Sequence, residues 1–419
     1  MDEWPGAAVA VTIGAGGMEL IDLVARWVHV VAGIMWVGNS LLFNWIDRNL
    51  VKPAAGSGSG DTSSFGTIWL LHSGAFYHME KCLVSGRPVP APLHWFKWQA
   101  YTTWLSGAVL LVAVYYAGGR AVLGDASIAP LTHAQAVGVA AGAIAIGWAL
   151  YESTNRFVAP RLPQLALAAW LAGLVAISIV LTQLLSGRAA FLHVGAMLGT
   201  IMAANVFFTI VPSQRELVAD VGAGRGAAAS AMSARAKRVS VHNNYFTFPV
   251  IVLMVSAHFP AAYSGPWSWL FLLVLVVAGA SVRHALNLRA ALPPAVWARV
   301  FWTVMIASAL AMYAVLRASL APALPLVDES AAPVTFAEAR HVIDKRCSAC
   351  HSATPSDLTF GVAPGGVNYD TPEQVVALAL RINERAVVTR TMPPGNKTSM
   401  TEAERALLGR WVAQGATRR

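Results

Sequence analysis

Charged residues are scarce in this chain. Only 12% of its 419 residues are Asp, Glu, Lys or Arg, whereas soluble domains usually carry about 25%. Together with 56% hydrophobic residues, this excludes a disordered chain and argues against an ordinary soluble enzyme. Cysteine is also rare: Cys347 and Cys350 share one motif and Cys82 is left over, so no disulfide framework exists. The basic residues form no clustered patch, and we expect no nucleic-acid partner.

The few charges are distributed unevenly, which divides the chain into two parts. Residues 1–320 hold 19 basic and 11 acidic residues, and residues 321–419 hold 11 and 10 in less than a third of the length. We therefore predict a membrane domain over residues 1–320 and a water-soluble domain over residues 336–419. The proline-containing residues 321–335 are expected to form a periplasmic linker between them.

Apolar runs in the first part predict an all-α, polytopic membrane helix bundle. A helix needs about 20 mostly apolar residues to cross the hydrocarbon core. Eight segments are candidates, of which the sixth is the shortest. They are residues 22–46, 94–118, 131–151, 164–186, 189–212, 245–259, 266–287 and 297–317. Residues 68–80, in the connection after the first span, are expected to lie on the membrane surface or to re-enter the membrane.

Basic residues predict how these spans are oriented, because cytoplasmic loops are enriched in Lys and Arg. The loops after the odd-numbered spans contain 14 such residues, and the loops after the second, fourth and sixth spans contain only Arg120 and Arg188. We therefore expect a multi-pass protein of the bacterial inner membrane, surrounded by membrane lipid, with both termini and the soluble domain in the periplasm.

The first and fifth spans resemble each other at an offset of 164 residues. This offset superposes His29 on His193 and Phe43 on Phe207. Both spans run in the same direction, as a parallel 4+4 repeat requires. Matches among apolar residues are weak support, so duplication and coincidence both stay open.

The sequence Cys347-Ser-Ala-Cys350-His351 is a C-x-x-C-H motif, the signature of c-type haem attachment. The two thiols form thioethers to the porphyrin, and His351 supplies one axial nitrogen to the iron. Met392, in a proline-stiffened loop, is the predicted second axial ligand. Ligation by His and Met raises the reduction potential, which suits an electron acceptor. With amphipathic helices on both sides, the motif predicts a class I cytochrome c domain carrying one covalent haem c.

Two other sites would use the same cysteines. A zinc site needs four ligands, and the chain has no second cysteine pair. A thioredoxin-type thiol pair needs a βαβ context, which the pattern lacks. Haem c is attached outside the cytoplasm, so the motif agrees independently with the periplasmic C-terminus that the charges predict.

Ionisable residues inside membrane spans are costly and are functional candidates by default. His29 and His193 fall near the outer ends of the first and fifth spans. Facing each other, two imidazoles could hold a b-type haem close to the cytochrome domain. They could instead bind substrate or relay protons, or hydrogen-bond neighbouring helices as structural residues.

A second polar set lies at the cytoplasmic ends of the spans. Within it, the candidates for catalysis are His78, Glu80, Glu152 and Arg156, because such groups together can bind a planar anion and remove its protons. An ordinary polar interface facing lipid headgroups is the alternative. The full set is His72, His78, Glu80, Glu152, Arg156, His242 and His284.

The architecture and three short stretches resemble a known family. The stretches are Trp27-Val-His-Val-Val-Ala-Gly-Ile-Met-Trp-Val-Gly38, His72 with His78-Met-Glu-Lys81, and the haem motif. With them, the chain resembles the membrane-bound, cytochrome c-fused urate oxidases (urate hydroxylases) of bacterial purine catabolism. The resemblance implies oxidation of urate to 5-hydroxyisourate, with oxygen from water and no peroxide. Electrons would leave through haem c for a soluble cytochrome c or a terminal oxidase.

Two functions of other classes fit parts of the same pattern. A quinol-oxidising or oxidase-associated cytochrome would transfer electrons in the membrane without acting on urate. A transporter with an attached redox sensor would use the repeat but leaves the haem without a clear role.

A pyridine-haemochrome spectrum of the purified protein, taken before and after acid-acetone extraction, tests both haem predictions. We expect one haem that the extraction does not remove, because thioether bonds hold it, and a second, extractable haem if His29 and His193 bind haem b. A single, fully retained haem would refute the b-type haem, and the absence of retained haem would refute the haem c prediction.

Overall fold

A computed structural model describes two helical parts of the chain. The described residues are 15–52, 62–84, 88–117, 120–223, 231–320, 332–357 and 363–418. Most of the predicted linker, residues 321–331, lies outside them.

The first part is a bundle of long helices. They are α1 (Ala15–Asn49), α2 (Trp98–Leu110), α3 (Arg120–Leu123), α4 (His133–Ser153), α5 (Pro163–Leu184), α6 (Gly187–Asn205), α7 (Val211–Gly222), α8 (Ala231–Ser256), α9 (Pro260–Tyr263), α10 (Ser268–Asn287) and α11 (Pro294–Leu320). Short π-helical turns extend α2 (Leu111–Tyr116), α4 (Thr154–Val158) and α6 (Val206–Ile210), and a 3-10 turn (Leu288–Ala290) follows α10.

Among the described residues, six stretches of helix are long and apolar enough to cross a membrane. They are Leu20–Asn49, His133–Val158, Pro163–Leu184, Gly187–Gly222, Ser268–Ala290 and Pro294–Ser319. These correspond to all the predicted spans except the second and the sixth, which are the helices α2 and α8. The presence of these two helices agrees with the pattern, and the count of eight spans stays a prediction.

The helix that contains most of the predicted sixth span, residues 245–259, begins well before that span. α8 begins at Ala231, because the polar residues before the apolar run continue the same helix. Arg235 and Arg238 lie in this first half, where they bond to α4. A span predicted from hydropathy alone begins where polar residues end, whereas the helix itself does not.

The chain is mostly helical, as the pattern predicts, but one segment of the described residues forms strands instead. β1 (Thr62–His72) and β2 (Ala75–Val84) form an antiparallel hairpin that contains residues 68–80. Its turn residues Ser73 and Gly74 have φ of 53° and 76°, and two-residue hairpin turns require this left-handed backbone. The aromatic and β-branched residues of the segment favour strands.

The same hairpin limits the internal repeat. At the offset of 164 residues, residues 62–84 would coincide with residues 226–248, which are helical from Ala231 onward. The similarity between the first and fifth spans therefore does not continue into the segments that follow them. The 4+4 repeat stays a prediction.

α6 lies at the centre of the bundle. Phe191, Met197 and Ile201 on this helix are fully buried and belong to the main hydrophobic core. Small residues allow close packing elsewhere: a Cβ on Gly279 of α10 would lie 2.7 Å from the backbone nitrogen of Pro249 in α8. Packing of this kind stabilises helix bundles where lipid surrounds them.

The bundle has two ends, which we name by their distance from the C-terminal domain. At the proximal end, Ser186 Oγ donates to the Val122 carbonyl and Ser319 Oγ donates to the Ser264 carbonyl. The 3-10 turn Pro394–Asn396 of the C-terminal domain packs against α3 at this end. The opposite ends of the same helices form the distal end.

The C-terminal domain is a small helical unit with its own core. Ile343, Ile382, Leu408 and Trp411 are buried together in it. Its helices are α12 (Phe336–Arg346), α13 (Pro372–Ala377), α14 (Ala379–Ile382) and α15 (Glu402–Ala413), with a π-helical turn at Asn383–Val388 and 3-10 turns at Pro364–Gly366 and Pro394–Asn396.

Glu404 joins the first and last helices of this domain through ion pairs with Arg346 and, at a longer distance of 3.8 Å, Lys345. Arg346 Nη2 lies 2.9 Å from Glu404 Oε1, and the two side chains are 13% and 17% exposed. Glu404 also accepts the N–H of Thr401 at 2.7 Å. Burial acts to raise the pKa of Glu404, but the hydrogen bonds from Arg346 and Thr401 outweigh it, so that the pKa is lowered.

This pair predicts acid sensitivity. Because the folded-state pKa of Glu404 lies below its ordinary value of 4.5, the pair stabilises the domain above that pH, and this contribution is lost as pH falls through the folded-state pKa. Glu404→Gln keeps an oxygen for the Thr401 N–H but loses the charge. We expect it to destabilise the domain at neutral pH by about 1–3 kcal/mol and to weaken the acid dependence.

Hydrogen–deuterium exchange of peptides covering residues 402–413, corrected for the intrinsic pH dependence of exchange, measures both effects. Glu402→Gln is the control, because the Arg390–Glu402 pair is exposed and such pairs contribute little. An unchanged acid dependence in Glu404→Gln would contradict the prediction.

Candidate functional site

The C-x-x-C-H motif forms a tight turn directly after α12. The N–H groups of Cys350 and His351 donate to the Cys347 carbonyl at 3.1 and 3.0 Å. Both cysteines are free thiols. The turn therefore keeps two thiols and one imidazole within a single short segment, as attachment to one planar group requires.

His351 is oriented by a hydrogen bond to its Nδ1, which lies 3.0 Å from the Val367 carbonyl oxygen. A carbonyl only accepts, so Nδ1 carries the proton and Nε2 keeps its lone pair. Metal-ligating histidines use this arrangement, because the second nitrogen fixes the tautomer and the ring orientation. His351 therefore fits an axial ligand of haem iron.

Met392 lies in a loop that is fixed through its backbone. Its N–H donates to the Arg385 carbonyl at 3.0 Å, and its carbonyl accepts from Arg405 Nη1 at 2.9 Å. Arg405 is itself 5% exposed, so the loop is anchored on a buried side chain. Ligation of iron by the Met392 sulfur stays a prediction.

The thiols do not resemble a reactive pair. Burial raises the pKa of Cys347 to about 12 and also raises the pKa of Cys350. Both are protonated at neutral pH, whereas a thiol redox pair works as thiolate. Within the described ranges, no group of three or more His, Cys, Asp or Glu side chains could hold a metal ion. A haem needs no such group, since the porphyrin supplies most of the iron's ligands.

His193 is fully buried in α6, near the proximal end. Its Nδ1 lies 2.7 Å from the Ala189 carbonyl oxygen, and its ring packs on Tyr115 and Tyr116 at centroid distances of 5.6 and 5.8 Å. In the part of the chain that the structure describes, Nε2 has no hydrogen-bond partner. A buried nitrogen without a partner favours a ligand or proton site over a purely structural role.

His29 lies at a different depth along the bundle from His193. α1 extends about four turns before it, rather than the two that the apolar run predicts. His29 Nδ1 lies 2.8 Å from the Thr103 carbonyl and 3.2 Å from Ser106 Oγ. Ser106 contacts His29, and Tyr115 contacts His193. These two contact residues are separated by about 14 Å along the helix axis. The b-type haem shared by both histidines stays a prediction.

At the distal end, a chain of hydrogen bonds joins α4, α6 and α8. Tyr151 Oη lies 2.8 Å from His242 Nδ1 and accepts from Asn205 Nδ2 at 3.0 Å. Asn205 Nδ2 also lies 2.8 Å from Asn243 Oδ1, and Asn243 Nδ2 donates to the Met202 carbonyl at 3.0 Å. Since Asn205 donates to Tyr151, the tyrosine can give its own proton to His242.

A second polar group continues from the next residue of α8. Asn244 Oδ1 accepts from Arg283 Nε at 3.1 Å and from Asn287 Nδ2 at 2.8 Å, and all three residues are buried. Arg48 of α1 donates to the Asn287 carbonyl. This group brings two guanidinium groups to one buried amide cluster, which is a setting for an anion.

The structure separates the four catalytic candidates. Glu152 forms an ion pair with Arg235 at 2.5 Å and lies beside the Tyr151–His242 contact. Arg156, by contrast, is exposed and packs over the Phe157 ring at 5.5 Å. Of these two, only Glu152 joins the distal polar residues.

The other two candidates lie on the hairpin. His78 and Glu80 are exposed on β2, and the His78 ring packs on Trp69 of β1 at a centroid distance of 4.4 Å. His72 ends β1. From the predicted set, the bundle instead brings in His284, whose Nδ1 lies 2.7 Å from Tyr245 Oη.

Five further residues take part in the hydrogen bonds of the distal end but are not among the predicted candidates. They are Tyr151, Asn243, Asn244, Arg283 and Asn287. The available signal is the run His242-Asn-Asn-Tyr245, four polar side chains at the start of an apolar segment. Its partners lie 38 to 91 residues away along the chain, which is beyond any local pattern.

Comparison with known proteins decides the family. Residues 15–316 match the family described as urate oxidase N-terminal. The chain belongs to the urate oxidase N-terminal family. This urate oxidase family region runs from α1 into the last turn of α11, so it includes both ends of the bundle and leaves out the C-terminal domain. No curated protein and no solved structure matches the chain. The family indicates a urate-related oxidase.

A double-mutant cycle tests the distal chain of hydrogen bonds. We expect Asn205→Leu and Asn243→Leu each to destabilise the bundle by about 1–3 kcal/mol, because each removes one partner of the buried Asn205–Asn243 hydrogen bond. The double variant should lose less than the sum, by roughly 0.5–3 kcal/mol. Thermal unfolding in detergent measures these differences. Tyr245→Phe, which changes the separate contact with His284, is the control, and its effect should add to that of Asn205→Leu. If the effects of Asn205→Leu and Asn243→Leu also add, the coupling is refuted.

Proposed function

We propose that the protein oxidises urate to 5-hydroxyisourate and passes the electrons to its own haem c. Urate and water yield 5-hydroxyisourate, two protons and two electrons. The proposal is carried by one observation: the urate oxidase N-terminal match is followed by a domain whose C-x-x-C-H histidine is oriented by the Val367 carbonyl. A soluble cytochrome c or a terminal oxidase would take the electrons next.

The residues of the C-terminal domain would bind and orient the haem. Cys347 and Cys350 would attach the porphyrin, while His351 and Met392 would bind the iron. When bound, the haem supplies a one-electron acceptor. Arg405 keeps the Met392 loop in place through the Met392 carbonyl, and the Val367 carbonyl keeps His351 in the tautomer that can bind iron.

We place the bundle in the bacterial inner membrane with the proximal end on the periplasmic side. Six apolar helices support a membrane protein, and α2 and α8 would complete eight spans. The C-terminal domain packs on the proximal end, and covalent haem attachment occurs outside the cytoplasm. Basic residues such as Arg161, Arg289 and Arg299 belong to the distal side, which is the cytoplasmic distribution.

Anaerobic addition of urate to the oxidised protein tests the proposal. We expect reduced c-type absorption bands, with two haems reduced for each urate consumed, because urate gives two electrons and each haem accepts one. When the reaction is repeated in air with soluble cytochrome c as the electron acceptor, urate should be consumed without release of peroxide. The double variant Cys347→Ser/Cys350→Ser should lose the haem signal, and Cys82→Ser, at a free thiol outside the motif, is the matched control that should retain it.

Two results would contradict the proposal. Reduction of the haem by quinol but not by urate would identify an electron-transfer cytochrome instead. Consumption of urate with release of peroxide would show that the electrons do not leave through the C-terminal domain.

A further inference from the structure

Arg283 is a buried cation that has no counter-ion among the residues that the structure describes. It lies near the distal end of α10 and is 3% exposed. Its Nε donates to Asn244 Oδ1 at 3.1 Å, but Nη2 has no hydrogen-bond partner within the described ranges. No described carboxylate forms an ion pair with it. Glu152 and Asp47 pair with other cations, at 2.5 and 2.7 Å.

A second cation strengthens the positive charge at this place. Arg48 lies within electrostatic range of Arg283 and donates to the Asn287 carbonyl. Arg48 is exposed, so it borders the buried group at the surface of the bundle. Removing a charge from water is unfavourable unless an opposite charge or hydrogen bonds compensate for it. Two neighbouring cations without a described carboxylate indicate that an anion from outside the chain provides the compensation.

The side chain of Asn287 indicates that the anion must also carry a hydrogen-bond donor. It is 4% exposed, it lies one helical turn after Arg283, and its Nδ2 is engaged by Asn244 at 2.8 Å. Its Oδ1 has no partner among the described residues. The buried surface therefore presents an unpaired donor on Arg283 and an unpaired acceptor on Asn287, on the same face of α10.

We propose that Arg283 and Asn287 form a binding site for a planar anion that carries a carbonyl beside an N–H group, and that the ligand is the urate monoanion. An edge of this kind accepts from Arg283 Nη2 and donates to Asn287 Oδ1. A phosphate or a lipid headgroup presents mainly acceptors and leaves Asn287 Oδ1 unpaired. Phe248, whose ring centre lies 5.7 Å from the Arg283 guanidinium carbon, adds an aromatic face. The identity of the anion rests on the proposed function.

Binding of urate to the reduced protein tests this site. The full-length protein in phosphatidylcholine nanodiscs is kept reduced with dithionite, so that urate binds but is not oxidised, and equilibrium dialysis with radiolabelled urate measures the dissociation constant. We expect Arg283→Gln to bind about 10- to 100-fold more weakly, because a charge-assisted hydrogen bond is lost. Arg299→Gln, at an exposed arginine near the same end, should bind as the wild type does.

Stability separates a binding role from a structural one. Without urate, Arg283→Gln should unfold at the same temperature as the wild type or above it, since an uncompensated buried charge has been removed. The rise in unfolding temperature that urate causes in the wild type should be lost. Asn287→Asp places a carboxylate beside Arg283. We expect it to stabilise the ligand-free protein and to abolish urate binding by occupying the guanidinium.

The remaining outcomes are decisive. Urate binding that is equally tight in Arg283→Gln would overturn this site and leave the proposed function intact. The absence of both binding and haem reduction by urate in the wild type would overturn both. Displacement of urate by an equal concentration of inorganic phosphate, or by phosphatidylglycerol in the nanodisc, would show a general phosphate site and would also overturn the proposal.

Discussion

Polar residues inside a bundle of apolar helices are stable only when their hydrogen bonds are satisfied by other helices, and the distal end is organised by this constraint. His242, Asn243, Asn244 and Tyr245 are consecutive in α8, so they point in several directions around the helix axis. Each meets a partner: the first two bond to α4 and α6, and the last two to α10. α8 is therefore placed, in position and in rotation, by four side chains.

The same constraint relates the two parts of the molecule. In the bundle, satisfied groups such as Asn205 fix the helices, and the unsatisfied ones stand out because they are few and buried. His193 Nε2 near the proximal end and Arg283 Nη2 near the distal end are two of these. Among the described residues of the C-terminal domain, the buried atoms without a partner are Asn368 Oδ1 and Asn383 Oδ1, while capping boxes and the Arg346–Glu404 pair satisfy other groups within the domain. These contacts hold the helices on either side of the Cys347–His351 turn.

Local features of the site could be predicted from the sequence, and long-range ones could not. Cys347 to His351 form one turn, so their spacing alone defines their chemistry. Most apolar runs correspond to helices, because burial in lipid and helix formation require the same length of chain. The hairpin was missed because its residues are apolar enough for a membrane surface, while the Ser73–Gly74 turn that decides its structure is only two residues long.

At the distal end, the sequence predicts polar residues but not their partners. Glu152 is a predicted catalytic candidate, but its partner Arg235 lies 83 residues away, and nothing in a single sequence pairs them. From the sequence, Arg283 counts among the basic loop residues that predict the orientation of the spans. Only its burial in the structure distinguishes it from the exposed Arg299. Depth within the bundle is a property of packing, and hydropathy along the chain does not contain it.

The contact of Pro394–Asn396 with α3 lies at the proximal end of the bundle, while Arg283 lies about 22 Å along α10 from its proximal start. If electrons leave through the C-terminal domain, as proposed, they leave at this end. If urate is held beside Arg283, in the orientation proposed above, each electron travels from the cytoplasmic side toward the periplasm. Transfer of one charge through the whole membrane potential contributes about 2.3 kcal/mol per 100 mV. The interior is negative, so the voltage favours the outward movement of electrons. Urate oxidation would then be electrogenic, and its rate would report the energetic state of the cell.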